Sequence, residues 1–237
     1  MSIQKYNFIQ QDIQNIFEVV KTEELSQLKN SSVCIPGGAG FVGSWISEMI
    51  NFLNDKHNFQ TNVTIIDRDI DKIKVQSPHL ANSRFFEFQR TDIRYLADLP
   101  KQTNYILFAA GFPSVHAHTS SPVDVMSSTA LGIDSVLRAT DRLSNFKMFL
   151  NLSSSLVYGH FYDREKNIGE TDFSFIDDSS SSNVYAEAKR YSESLCSAYR
   201  SQFRMPVATL RPFTLIGPFQ PLNSPWALNN FINDAIH

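Results

Sequence analysis

Four of the nine glycines in this 237-residue chain, Gly37, Gly38, Gly40 and Gly43, fall inside one stretch, SVCIPGGAGFVGSWI, at positions 32–46. Glycine in or near a helix costs about 1 kcal/mol relative to alanine, so a cluster this dense answers a need of the backbone. An apolar strand, Val33–Ile35, leads into it. A helix whose apolar face carries Val42, Ile46, Met49, Ile50 and Leu53 leads out. In a strand–turn–helix unit, glycines permit the tight turn, the approach of backbone to a pyrophosphate and close helix–strand packing. The helix N-terminus adds unpaired N–H groups and a positive dipole end. Two spacings are satisfied together: Gly38, Gly40 and Gly43 form GxGxxG, and Gly37, Gly40 and Gly43 form GxxGxxG. Either spacing alone is also what a plain tight turn leaves behind.

The remainder of the chain repeats the strand–helix alternation. Apolar or β-branched runs at 63–66, 85–88, 105–109, 148–152 and 207–210 are separated by helical stretches such as 42–53, 123–143 and 185–203. Continuous apolar strands between helices predict a parallel sheet covered on both faces, a doubly wound α/β architecture. Before it, Ile9, Ile13, Ile16, Phe17, Val20 and Leu28 recur near helical spacing and predict an N-terminal helical arm over residues 1–30. The segments 111–122 and 170–183 are polar and read as surface loops. A net charge of -3 makes no electrostatic case for nucleic acid or an anionic membrane surface. No apolar run approaches the length of a membrane helix, and the N-terminus is too polar for a signal peptide. Cys34 and Cys196 have no partner at metal spacing, so both read as reduced core thiols, no metal is expected, and a cytoplasmic location follows.

Three further features carry chemistry. The strand VTIID ends on Asp67, near the distance from the glycines at which a carboxylate meets the ribose hydroxyls of a dinucleotide. A carboxylate there repels a 2′-phosphate and favours NAD over NADP, although the adjacent Arg68 is able to meet that phosphate. Tyr185 and Lys189 are four apart and share a helix face. An ammonium beside a phenol lowers its pKa, which makes tyrosine a usable base. Tyr162 and Lys166 repeat the spacing in a charged stretch and read as a solvated decoy. Finally, LNLSSSLVYG runs an apolar strand into serines at the carboxyl end of the sheet, where a hydroxyl can donate to a developing oxyanion.

Taken together, GGAGFVG, Asp67, FAAG, SSSLVYG, YAEAK and RPFTLIGP, in that order, resemble the extended short-chain dehydrogenase/reductases, and within them the nucleotide-sugar epimerase/dehydratase branch. The resemblance covers about residues 32 to 220. It implies a Rossmann cofactor domain over 31–215 and the start of a smaller substrate domain at 216–237, the bulk of that domain being absent from this chain. It assigns Gly37, Gly40, Phe41, Val42 and Gly43 to the pyrophosphate turn, Asp67 and Arg68 to the adenosine ribose, Asp92 and Ile93 to the adenine, and Ala109 and Ala110 to the length of the cofactor. Ser154 would bond the substrate oxygen with Ser155 beside it, Tyr185 would be the acid/base, and Lys189 would bind the nicotinamide ribose. The Arg211–Pro212–Phe213 strand end would close the nicotinamide side. His116 and His118 are within reach of a sugar or diphosphate, and His116 is taken as substrate-binding.

The implied activity is epimerisation of a nucleoside-diphosphate sugar through a transient keto-sugar, in a homodimer joined by the helices around 123–143 and 185–203. Alternatives are a 4,6-dehydratase or keto-sugar reductase of the same family, or a non-catalytic NAD-binding protein. Some departures bear on the choice. Pro36 stands where threonine commonly precedes the first glycine, and Thr129 where asparagine is common. The dehydratases of this family carry an Asp–Glu pair directly after the catalytic serine or threonine, where this chain has Ser155 and Leu156. Leucine transfers no proton, which disfavours dehydration by that route, and equally a decarboxylation that needs glutamate at the second position.

Overall fold

The computed structural model describes residues 3–20, 22–111, 115–159, 167–177, 180, 183–220 and 227–236. Helices α1 (Ile3–Val19) and α2 (Thr22–Leu25) precede β1 (Ser32–Pro36). Then follow α3 (Phe41–His57), β2 (Asn62–Asp67), α4 (Ile70–Gln76), α5 (Pro78–Ala81), β3 (Phe86–Arg90) and β4 (Tyr105–Phe108). The second half contains α6 (Val115–Ser120), α7 (Pro122–Thr140), β5 (Met148–Leu152), α8 (Val184–Phe203), β6 (Val207–Leu210) and α9 (Ala227–Ile236).

All six strands join one parallel sheet in the order β3-β2-β1-β4-β5-β6. This is the dinucleotide-binding order, which reverses between β1 and β4 and opens a crevice above their carboxyl ends. The predicted doubly wound sheet is therefore present. The central strands are apolar throughout because each residue faces one of two covered sides. On one side Cys34, Ile66, Ile106, Phe108 and Phe149 pack with Ile133, Val136 and Leu137 of α7 and Cys196 of α8. On the other, Val33, Ile35, Val63, Ile65 and Leu107 pack with Ile50 of α3, Ile73 of α4 and Leu80 of α5. Alternation along β1, β2 and β4 thus feeds two cores from one sheet.

The N-terminal arm is a packing element. Ile9 and Ile13 of α1 are buried against Phe52, Leu53, Phe59 and Phe219. The indole N–H of Trp45 donates to the Pro218 carbonyl at 3.0 Å, so the segment before α9 is tied back to α3. A fully buried Glu48 braces α3 from the other direction, accepting from Ser77 Oγ at 2.6 Å and meeting His79 Nε2 at 2.8 Å.

One expectation needs correction. The stretch 111–122, expected as a loop, contains α6, and Pro122 begins α7 at a position where its missing N–H costs nothing. The polar composition concealed α6 because, among residues 116–120, His118 alone is buried. The decoy pair Tyr162 and Lys166 lies outside the described residues.

Candidate active site

One cavity of about 710 Å³ runs along the carboxyl ends of the strands, from Asp67 and Asp92 at one end to Ser154 and Tyr185 at the other. Its floor is the glycine turn. Gly37 has φ +81°, and a Cβ there would lie 2.4 Å from Ala110 N. A Cβ on Gly43 would lie 2.5 Å from Gly38 Cα. These two glycines let β1, α3 and the end of β4 touch. Gly40 is different: its Cβ would meet only Gly37 O, at 3.2 Å. Gly37, Gly40 and Gly43 line the cavity, whereas a Cβ on Gly38 would strike Ile35 O and Ile65 beneath it. The three glycines that line the cavity are those of the GxxGxxG spacing. Gly40 caps α3 with no side chain over the helix end, so the N–H groups of Phe41, Val42 and Gly43 stay open to the cavity. Pro36 costs little as the last residue of β1: the neighbouring Gly37 N–H reaches Ile66 O, and its own carbonyl accepts from Ala109 N.

Asp67 accepts from Ala39 N at 3.2 Å and from Asp69 N at 3.1 Å, which fixes the carboxylate at the lip of the glycine turn. Arg68 lines the cavity beside it. Asp92 and Ile93 also line it, with Asp92 gripped by Arg94 through bonds of 2.6–3.1 Å. Those bonds hold the Asp92 carboxyl below the usual aspartate range. Ala109 and Ala110 form the middle of the wall.

At the other end, the backbone that presents the serines is an extension of the β5–β6 ladder. Ser153 N donates to Leu210 O and Ser155 N to Pro212 O, which fixes the backbone on either side of Ser154 where it lines the cavity. Leu156 N–H donates to Ser154 Oγ at 3.2 Å, leaving the hydroxyl proton to be given outward. Ser155, Leu156, His116 and Pro212 line the same end. Arg211 takes a different course from the expected nicotinamide wall, forking onto Glu193 of α8 at 2.7–3.2 Å.

Tyr185 and Lys189 sit on the buried stripe of α8 with Ala188, Ser192 and Cys196. Burial governs both. It pushes the Tyr185 phenol up to about 12 and the Lys189 ammonium down to about 8. The expected lowering of the phenol by the ammonium is absent because Lys189 Nζ donates to the Leu152 carbonyl at 2.6 Å and lies 5.7 Å from the phenol ring centroid. Proximity alone has not overcome desolvation.

The lysine shift predicts a stability effect. A lysine with a folded pKa near 8 binds fewer protons than the unfolded chain between there and its ordinary value of 10.5. Its contribution to stability therefore rises with pH across that window. Lys189→Met removes the ionisation, so the unfolding free energy of the wild type should rise relative to that of the variant as pH climbs from 8 towards 10.5. A constant difference in denaturant titrations across that range would contradict the assigned shift.

Ser153, Ser128 and Gly111 line the cavity without having been expected to, and His118, read as within reach of a sugar or diphosphate, lines it too. Ser153 Oγ and Ser128 Oγ are buried without a hydrogen-bond partner in the protein, a state that costs roughly 1–3 kcal/mol per group. Both residues line the cavity, but these oxygens are closed to solvent; what fits an elongated polar cofactor is the open start of α3 together with the fixed Asp67 carboxylate. The first serine of the SSS run was a visible signal for Ser153; no periodicity marked His118. Among the described residues, no group of three or more His, Cys, Asp or Glu side chains is arranged to hold a metal ion, and no helix is long and apolar enough to cross a membrane.

The family model described as NAD dependent epimerase/dehydratase matches residues 33–236. The chain belongs to this family. UDP-glucuronic acid decarboxylase 1 of Xenopus tropicalis is 26% identical over 213 residues, covering 90% of this chain and 48% of that protein. The chain therefore spans about half the length of the curated relatives it matches. The UDP-N-acetylglucosamine 4-epimerase of Methanobrevibacter ruminantium, solved with UDP-N-acetylmuramic acid, superposes with a TM-score of 0.72 at 24% identity, over 88% of this chain and 63% of that one. The UDP-glucuronic acid 4-epimerase of Bacillus cereus, solved with NAD, gives 0.69 at 22%, over 86% and 63%. At these identities the structural likeness is one of fold, and the epimerase/dehydratase membership rests on the family model.

Proposed function

We propose that this epimerase/dehydratase chain binds NAD along the crevice and performs the oxidation–reduction steps of a nucleoside-diphosphate-sugar 4-epimerase. The observation that carries the reading is the continuity of one cavity from the glycine turn and Asp67 to Ser154, Tyr185 and Lys189. Gly37, Gly40, Phe41, Val42 and Gly43 would hold the pyrophosphate, Asp67 the adenosine ribose, Asp92 and Ile93 the adenine, and Lys189 the nicotinamide ribose. When bound, NAD would supply the hydride acceptor and, oxidised, a positive charge favouring ionisation of the phenol. Tyr185 takes the proton of a sugar hydroxyl as the carbon beneath it loses hydride. Ser154 donates its hydroxyl proton to the oxygen that becomes the carbonyl, and Tyr185 returns the proton when hydride comes back to the other face. Leu156 lines this end of the cavity where an acid is needed for elimination, which supports epimerisation over dehydration or decarboxylation.

The substrate class is a nucleoside-diphosphate hexose or hexuronate, consistent with the printed names of the relatives. Exposed Met126 and Leu131 on α7 and Tyr191 on α8 support a homodimer joined through those helices. Cys34 and Cys196, free, buried and raised in pKa, support a cytoplasmic location. The deciding experiment is titration calorimetry with NAD and NADP, followed by incubation with UDP-glucuronic acid and UDP-glucose read by proton NMR. The expected result is binding of NAD more tightly than NADP, and appearance of the 4-epimer. An absence of heat with NAD would overturn the proposal.

A further inference from the structure

The phenol of Tyr185 occupies the first turn of α8, and its orientation is not settled by its own backbone. The outer torsion of a tyrosine is broad and two-fold, so a ring that must direct its hydroxyl at one substrate oxygen needs walls. One wall is the backbone just past β4, where a Cβ on Gly111 would stand 3.8 Å from Tyr185 Cε2 and 3.4 Å from Lys189 Nζ. The other is an imidazole. The His118 ring lies 5.0 Å from the Tyr185 ring, centroid to centroid, with only 12° between the planes.

Several features make this more than a chance contact. His118 is 6% exposed while His116, Thr119 and Ser120 of the same helix are exposed and Ala117 is half-buried, so among residues 116–120 it is His118 that α6 buries. Its target is the tyrosine, itself 9% exposed. Both rings line the cavity. A parallel ring pair is favourable beyond its area burial and holds a ring plane, and an imidazole keeps a polar edge for the wet side of the crevice that a phenyl ring lacks.

We propose that His118 is a positioning residue for Tyr185: its imidazole lies flat on the phenol and fixes the ring plane, which couples the seating of α6 to the aim of the tyrosine hydroxyl. The inference rests on the catalytic reading of Tyr185 and goes beyond it by giving α6 a task.

The test compares His118→Ala and His118→Phe in the NAD-loaded protein, with UDP-glucuronic acid and UDP-glucose as hydride donors, following nicotinamide absorbance. Misplacing a reacting group by about 1 Å costs on the order of 100-fold. His118→Ala should lose about 10- to 100-fold in the hydride-transfer rate with KM and NAD affinity unchanged, and His118→Phe, which keeps a flat ring, should recover most of it. Wild-type rates in His118→Ala would overturn the proposal. So would equal losses in both variants, which would make the imidazole a direct substrate contact. A second readout needs no turnover. In aromatic NMR spectra the ring signals of Tyr185, assigned by their disappearance in Tyr185→Phe, should move in His118→Ala through loss of the ring current and stay near the wild-type position in His118→Phe. Unmoved signals in His118→Ala overturn the stack. If neither sugar reduces the cofactor in any variant while the NMR result holds, it is the catalytic reading of the site that falls and not the contact.

Discussion

Tyr185→Phe should abolish most of the hydride-transfer activity while leaving the fold and NAD affinity intact. The substitution deletes one oxygen and keeps the ring, so the contact with His118 and the wall at Gly111 survive. Lys189 keeps its bond to the Leu152 carbonyl, because that bond does not involve the phenol. What disappears is the group that accepts the sugar's proton. General acid–base catalysis contributes about 10²- to 10⁴-fold, equivalent to roughly 3–5 kcal/mol of transition-state stabilisation. The loss should appear in kcat rather than KM, since ground-state binding is spread over the whole cavity. Stability should be unchanged or slightly higher, because burial has already pushed the phenol to about 12 and its removal relieves a desolvated hydroxyl. The same shift gives the sign of the pH dependence. A phenol that must ionise from about 12 makes the wild-type rate of oxidation rise with pH through the neutral range, and the phenylalanine variant should lose that slope. Turnover by Tyr185→Phe at the wild-type rate, with the wild-type slope, would remove Tyr185 from the mechanism.

Much of the architecture was legible because it depends on composition along the chain. Strands β1, β2 and β4 are covered on both sides, so their inner residues are mainly apolar or β-branched, and six such runs alternating with helices admit few arrangements. The glycine turn was legible for a related reason: glycine is placed where two backbones meet. Which glycines face the crevice was not legible from spacing, since Gly37 and Gly38 are neighbours that differ in backbone φ and in what a Cβ would strike. The candidate site shows the same limit. The four-residue spacing of Tyr185 and Lys189 correctly places both on one face of α8, but spacing says nothing of where a long side chain ends. Lys189 Nζ turns to a strand-end carbonyl, and Arg211 turns to Glu193. Helix α6 was hidden because, of residues 116–120, only His118 is buried and one inward residue produces no period; His118 itself was visible as a residue in reach of a sugar, but its contact with Tyr185, 67 positions away in sequence (118 to 185), was not.

Gly37→Ala should both destabilise the protein and prevent NAD binding, whereas Gly40→Ala should impair binding alone. At position 37 two penalties coincide. The backbone sits at φ +81°, where a side chain is strained, at a cost of about 1–3 kcal/mol. The new Cβ would also lie 2.4 Å from Ala110 N and 2.5 Å from Ala110 Cα, backbone atoms that can yield only if the end of β4 moves away from β1. Overpacking of that kind adds about 1–3 kcal/mol. For a chain of this size, about 3 kcal/mol corresponds to a fall in Tm of roughly 6–12 °C. At position 40 the φ is ordinary at −76° and the Cβ meets only one carbonyl oxygen at 3.2 Å. The methyl instead projects where α3 opens to the cavity, over the N–H groups that would bind a pyrophosphate. Scanning calorimetry and NAD titration of the two variants therefore separate the two duties of the turn: the first should lose Tm and affinity together, the second affinity with Tm preserved. If Gly40→Ala binds NAD as the wild type does, the pyrophosphate does not cross the start of α3, and the placement of the cofactor along this crevice is wrong.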